Sequence, residues 1–103
     1  ARANARANGL GPWMRIGQAD GLQAPLIRDA GPYGLVFANI LARPLKRLAP
    51  SIAGAAASGG FAVLSGLLDR QAPGVEQAYL ANGFARHRVI RLEGWTTLVL
   101  RRR

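Results

Sequence analysis

Apolar and polar positions divide this chain into short, sharply bounded segments. Tyr33 to Ala38 (YGLVFA) is a nearly continuous apolar run, and Phe61 to Ser65 (FAVLS) is a second. Runs of this length without alternation suit strands covered on both faces. Trp13 to Gln18 (WMRIGQ) reads as a further short strand, and Ala19 to Pro32 as loop with one helical turn. Between the two apolar runs, ARPLKRL opens a helix with Pro44 in its first turn, where a missing N–H costs nothing. That helix is expected to reach about Ala57, with Pro50 either kinking or restarting it, and Ser58-Gly59-Gly60 ending it.

Asp69 is placed to cap the next helix, DRQAPGVEQAYLANG, in which Val75, Tyr79 and Leu80 share one face. Asn82-Gly83 closes it. Phe84 to Leu92 and Trp95 to Leu100 then form a tight antiparallel hairpin around Glu93-Gly94. At the other end, Ala1 to Asn8 repeats Ala, Arg and Asn and reads as the tail of a helix that Asn8-Gly9 closes. Strand, helix, strand, helix, hairpin is the order of an α/β domain whose first half requires parallel strands and right-handed crossovers.

The polar stop on the first apolar run carries the chemistry. Asn39 ends YGLVFAN just before helical sequence begins, which puts an amide side chain at the carboxyl edge of a strand. In open α/β sheets ligands bind at that edge. An amide there accepts a hydrogen bond from an amine or donates one to a carbonyl, although Asn also serves as an ordinary strand-end cap.

Composition narrows the classes. A chain of 103 residues supports one domain with a modest core, and 50% apolar content excludes a disordered or fibrous chain. There is no cysteine, His87 is the single histidine, and the acids Asp20, Asp29, Asp69, Glu76 and Glu93 are scattered, so no metal cage is expected. His87, between Arg86 and Arg88, has no neighbouring nucleophile and reads as a solvated edge residue. Trp13 and Trp95 read as packing residues. Gly59-Gly60 precedes a strand, which makes it punctuation and not a phosphate loop.

The net charge of +9 is almost wholly arginine, Lys46 being the single lysine. Such a surplus favours anionic partners such as RNA or a ribosomal surface, yet the arginines are not interleaved with aromatics as on many nucleic-acid surfaces. An arginine-rich proteome together with a missing acidic half is the favoured account. Leu48 to Leu68 carries no charge and has the length of a bilayer span, but Pro50, Gly54, Ser58, Gly59, Gly60 and Gly66 interrupt it. ARANARANGL lacks a signal-peptide core. A cytoplasmic protein that does not enter the membrane is the expectation.

Taken together and in order, ARANARANGL, YGLVFANILARPLKRLAP, SGGFAVLSGLLDRQ, EQAYLANGF and EGWTTLVLRRR resemble the carboxyl-terminal part of a class I S-adenosylmethionine-dependent methyltransferase of the PrmA family. The resemblance spans essentially the whole chain, and its specific parts are ANILARPL, SGGxxxLSGLL with Gln71, and the GW of the last hairpin. It implies a Rossmann-like sheet of seven mostly parallel strands with a terminal antiparallel hairpin. WMRIGQ, YGLVFA and FAVLS would be its third to fifth strands, and FARHRVIRL and WTTLVL its sixth and seventh. It implies that Asn39 lies beside the cofactor's sulfonium, binds cofactor and acts catalytically by orienting the amine to be methylated. It also implies an adenine-side role for Asp20, although GQADGLQAP matches poorly.

The same comparison implies that residues 1–103 are a partial methyltransferase domain. The first two strands, the Gly-rich cofactor loop and the ribose-binding acid would lie upstream of Ala1, and Gly34 stands where the family usually has Asp. In the family's strand order the third strand would then be separated from the fourth, and its edge would need another chain or solvent as partner. The implied function is methyl transfer from S-adenosylmethionine to amino groups of a large-subunit ribosomal protein, with the 103-residue chain inactive alone. The competing readings are a class I methyltransferase with another amine substrate, and a basic RNA- or ribosome-binding module without catalysis.

Overall fold

The computed structural model describes the backbone of residues 2–4 and, in full, residues 13–17 and 32–103. Its elements are β1 (Arg2–Asn4), β2 (Trp13–Ile16), β3 (Tyr33–Asn39), α1 (Ala42–Arg47), α2 (Ala49–Ala55), β4 (Ala56–Leu68), α3 (Ala72–Leu80), β5 (Phe84–Leu92) and β6 (Trp95–Arg102). The strands form one sheet in the order β1-β2-β3-β4-β6-β5. The β2–β3 and β3–β4 pairs are parallel, and β4–β6 and β5–β6 are antiparallel. The expected α/β class with a closing antiparallel hairpin is therefore present.

Alternation along the strands sorts the sheet into two unlike faces. Met14, Ile16, Val36, Ala38, Ala62, Leu64, Leu67, Leu98 and Leu100 are buried in one cluster with Leu45, Ile52, Val75 and Tyr79 of the helices. The intervening positions are half-buried or exposed: Leu35, Phe37, Phe61, Val63, Val99 and Trp95. Register aligns Phe37 with Val63 and Val63 with Val99, so these side chains share the opposite face. Ile90, Leu92 and Trp95 continue it, with Leu92 paired to Trp95. The helices thus cover one side, and an apolar sheet surface faces outward on the other.

Polar ties fix the helix layer. Tyr79 Oη donates to the Leu45 carbonyl at 2.9 Å, linking α3 to the end of α1. Glu76 is buried yet charged, because Arg86 donates to both of its carboxylate oxygens at 2.6 and 2.7 Å. That guanidinium, through its hydrogen bonds first, holds the Glu76 carboxyl below the usual carboxylate range, while partial burial opposes the shift. The Tyr33 hydroxyl is buried without a hydrogen-bond partner among the described residues, and burial pushes its pKa up.

Four expectations are corrected. Arg2–Asn4 pairs antiparallel with β2 instead of ending a helix. Ala and Arg are good helix formers, but intrinsic propensity is a weak prior that pairing at a sheet edge overrides. The helix after β3 stops and restarts at Leu48, then ends at Ala55, so Ala56 to Gly60 already belong to β4. There the register jumps from Tyr33–Ala56 to Leu35–Phe61, and Gly60 packs so close to β3 that a Cβ would come within 2.9 Å of the Gly34 oxygen. Asp69 does not cap α3, whose N-cap position is Gln71. Finally, β2 is not separated from β3 but pairs with it directly, Trp13 to Leu35 through Ile16 to Ala38. Both strands carry apolar residues at matched positions, and pairing satisfies their backbone groups without an intervening strand. The stretch expected as loop between them lies outside the described residues, apart from Pro32. Among the described residues no helix is long and apolar enough to cross a membrane.

Candidate functional site

Asn39 is the last residue of β3, in register with Ser65 of β4, and its side chain is exposed. It shares parity with Leu35 and Phe37, so it stands at the carboxyl edge of the face that the helices leave open. The parallel β3–β4 pair builds this edge, and α1 leaves it through Ile40 and Leu41. Ile40 is buried and pins the exit, while Leu41 is 63% exposed.

The floor beneath the Asn39 amide is Gly66. Between Leu64 and Leu67 the β4–β6 register slips by one residue, a bulge, and Gly66 takes φ +80°. A Cβ on Gly66 would overlap Asn39 Oδ1, and that contact is the nearest one it would make. Glycine here leaves the space the amide occupies.

The turn after β4 is held by its own hydrogen bonds. Leu68 N–H donates to Gln71 Oε1 at 2.9 Å, and Gln71 N–H donates to the Leu68 carbonyl at 2.8 Å, which closes residues 68–71 on themselves. Asp69 N–H donates to the Gly94 carbonyl at 3.0 Å, and buried Thr96 donates its hydroxyl to Asp69 Oδ1 at 2.5 Å. Asp69 thereby fastens the hairpin turn to the sheet edge. Glu93 and Gly94 have φ of 52° and 86°, the signature of a type I′ hairpin turn.

Of the residues singled out from sequence, Asn39 is exposed at the expected edge, and Asp20 lies outside the described residues. His87 is exposed and rests edge-on against Phe61 at 5.0 Å between ring centroids. Trp95 is 53% exposed at the hairpin. Among the described residues no cluster of His, Asp and Glu could hold a metal ion. In the sequence Gly66 stands as a break in an uncharged stretch and within the SGGxxxLSGLL match, with no role of its own. An isolated glycine inside a strand pattern marks a bulge or a close approach, and that signal was available.

Comparison with known proteins bears on the same elements. The family model described as ribosomal protein L11 methyltransferase (PrmA) matches residues 1–103. Ribosomal protein L11 methyltransferases of Bradyrhizobium diazoefficiens and Mesorhizobium japonicum are 47% and 45% identical over 102 and 101 residues, 99% and 98% of this chain. The chain spans only 35% of the length of each. The crystal structure of the ribosomal protein L11 methylase from Lactobacillus delbrueckii subsp. bulgaricus superposes with TM-score 0.65 at 32% identity, over 71% of this chain and 38% of that one. An O-methyltransferase family protein from Burkholderia thailandensis, 15% identical, shares the fold alone with TM-score 0.63 over 80% of this chain and 33% of its own. The match across every element of the sheet establishes that this chain belongs to the ribosomal protein L11 methyltransferase (PrmA) family.

Proposed function

We propose that residues 1–103 form the acceptor side of the methyl-transfer site of an S-adenosylmethionine-dependent N-methyltransferase whose substrate is ribosomal protein L11. The observation that carries this reading is the placement of Asn39: an exposed amide at the carboxyl edge of a central parallel strand, over a glycine that clears its space. Family membership supplies the reaction class.

The described residues fit one side of such a site. Asp69 is engaged by Thr96, Glu76 by Arg86, and Glu93 lies in the hairpin turn, so none of them is offered to ribose hydroxyls. Asn39, by contrast, is exposed. We place the cofactor cradle, including the first two strands and the Gly-rich loop, outside residues 1–103, which form a partial domain. Phe37, 40% exposed on the central parallel strand β3, supports that placement, because a parallel sheet is ordinarily buried on both sides.

Bound S-adenosylmethionine supplies an electrophilic methyl group on a sulfonium. Asn39 does the positioning: Oδ1 accepts an N–H of the neutral acceptor amine, which aims the nitrogen lone pair along the line of attack. As the new N–C bond forms, the nitrogen becomes cationic and its proton leaves to solvent at this exposed edge. No strong acid is needed, since the leaving thioether is neutral. Gly66 acts through Asn39 by leaving its amide where the acceptor arrives. The adenine-side role of Asp20 is part of the same proposal, as is a cytoplasmic location, where ribosomal protein is available for modification.

The test is transfer of labelled methyl groups from S-adenosylmethionine to purified ribosomal protein L11 by the intact protein carrying these residues, with and without Asn39→Ala. Calorimetry of the 103-residue chain by itself tests the cradle: micromolar affinity for the cofactor, on the order of −8 kcal/mol, would overturn its placement outside these residues.

A further inference from the structure

A second feature lies beside α1 and is not accounted for by methyl transfer. Ala42, Arg43 and Lys46 of α1, together with Arg70, Gln71 and Gly74 at the start of α3, line an open depression of about 310 Å³. Its charged groups are Arg43, Lys46 and Arg70, all exposed, and no acid lines it. None of these cations is in an ion pair among the described residues, whereas the Glu76 carboxylate is taken by Arg86 on β5 and Asp69 by Thr96. Like charges converging on one concavity raise a positive potential there, and no ion pair among the described residues relieves it.

The lining is also specific in what it lacks. It has no aromatic side chain for a base to stack on and no apolar pocket for a side-chain anchor. Two guanidiniums and one ammonium around a polar hollow are donors matched to a tetrahedral anion, since Arg presents a planar fork and Lys a compact charge. Gly74 keeps the hollow open: a Cβ there would meet only Lys46 Nζ, at 3.5 Å. The volume admits a phosphate with its sugar. The net charge of +9 supplies the long-range attraction that a polyanion, more than a single small ion, would exploit.

We propose that this depression is a docking site for a nucleic-acid backbone phosphate, through which the protein binds RNA without reading its sequence. Contacts to phosphate and not to bases follow from the absent stacking platform.

The experiment is fluorescence anisotropy of the intact protein with a short single-stranded RNA of mixed sequence, titrated over a range of salt. The triple variant Arg43→Gln, Lys46→Gln, Arg70→Gln is expected to reduce the salt slope by about 0.7, the contribution of the one single-strand phosphate that the hollow takes. Gly74→Leu provides the decisive control. It leaves every charge in place, suits a helix better than glycine, and fills the hollow. It is expected to weaken RNA binding about tenfold, equivalent to about 1.4 kcal/mol. Arg88→Gln with Arg91→Gln, on the hairpin, is expected to change affinity by less than either.

Circular dichroism checks that each variant is folded. If Gly74→Leu is folded and binds RNA like the parent, attraction is a property of total charge and the site does not exist. If inorganic phosphate abolishes RNA binding at equal phosphate concentration, the hollow takes the free ion and the polyanion assignment fails. If polyglutamate competes as well as RNA, it is a carboxylate surface, and the RNA assignment fails again.

Discussion

Gly66→Ala is the perturbation that most sharply separates folding from positioning in this molecule. Two costs follow from the structure. Gly66 holds φ +80°, and placing an L-residue in that region costs about 1–2 kcal/mol. Alanine recovers about 0.4–1 kcal/mol by restricting the unfolded chain. The net loss is about 1 kcal/mol, or a Tm drop of a few degrees. The second cost is local. The new Cβ would overlap Asn39 Oδ1, and because that atom ends a flexible side chain, the amide swings away instead of the backbone yielding. Stability therefore registers little of this contact, but the acceptor loses its partner. A misplacement of about 1 Å is worth roughly 100-fold in rate. The assay is methyl transfer by the intact protein at a temperature where circular dichroism shows the variant folded. Gly54→Ala serves as control, since nothing lies within 4 Å of its Cβ and alanine suits α2 better. The double variant Asn39→Ala, Gly66→Ala is expected to be no slower than Asn39→Ala alone. A folded Gly66→Ala protein that transfers methyl groups within about threefold of wild type, where about 100-fold is expected, refutes the positioning argument.

Three further outcomes follow from the helix layer and its sheet. Tyr79→Phe removes the donor to the buried Leu45 carbonyl and is expected to cost about 1–2 kcal/mol in urea or thermal unfolding; an unchanged midpoint contradicts the role given to that bond. Tyr33→Phe deletes a buried hydroxyl that has no partner among the described residues, so stability is expected to hold or rise by about 1 kcal/mol, and a clear loss in the same assay contradicts its orphan status. The Glu76 carboxyl titrates below its ordinary value in the folded state because Arg86 hydrogen-bonds it, so its contribution is present above the unfolded carboxylate pKa and is lost as pH falls through the folded one. Arg86→Leu should therefore destabilise more at neutral pH than in acid, where Glu76 takes up a proton; an equal loss at both, by thermal melts across pH, opposes this.

The parts legible in sequence were those set by local chemistry. The apolar runs around Val36 and Leu64 became the parallel centre, and Glu93-Gly94 made its hairpin, because strand burial and turn geometry are encoded within a few residues. Asn39 at its edge was visible for the same reason. What escaped depended on partners far along the chain. Asp69 resembles a helix cap locally, but Thr96, 27 residues on, takes its carboxylate. Ala56 and Ala57 continue helical composition and Ser58-Gly59-Gly60 reads as its stop, yet all five belong to β4. Arg2–Asn4 forms strand only because β2 offers an edge. Gly66 is half legible: an isolated glycine in a strand pattern signals the bulge, but the side chain it clears, Asn39, lies on the neighbouring strand and no local pattern names it.

The central claim is that Asn39 holds the amine that receives the methyl group. The most direct measurement is single-turnover transfer of labelled methyl to ribosomal protein L11 by the intact protein, comparing Asn39→Ala with wild type while cofactor affinity is read separately by calorimetry. The account predicts a loss of roughly 100-fold or more in the transfer rate, the scale of a misplaced reactant, with the protein folded as judged by circular dichroism. A variant that transfers methyl groups to the same acceptor at the wild-type rate would contradict it.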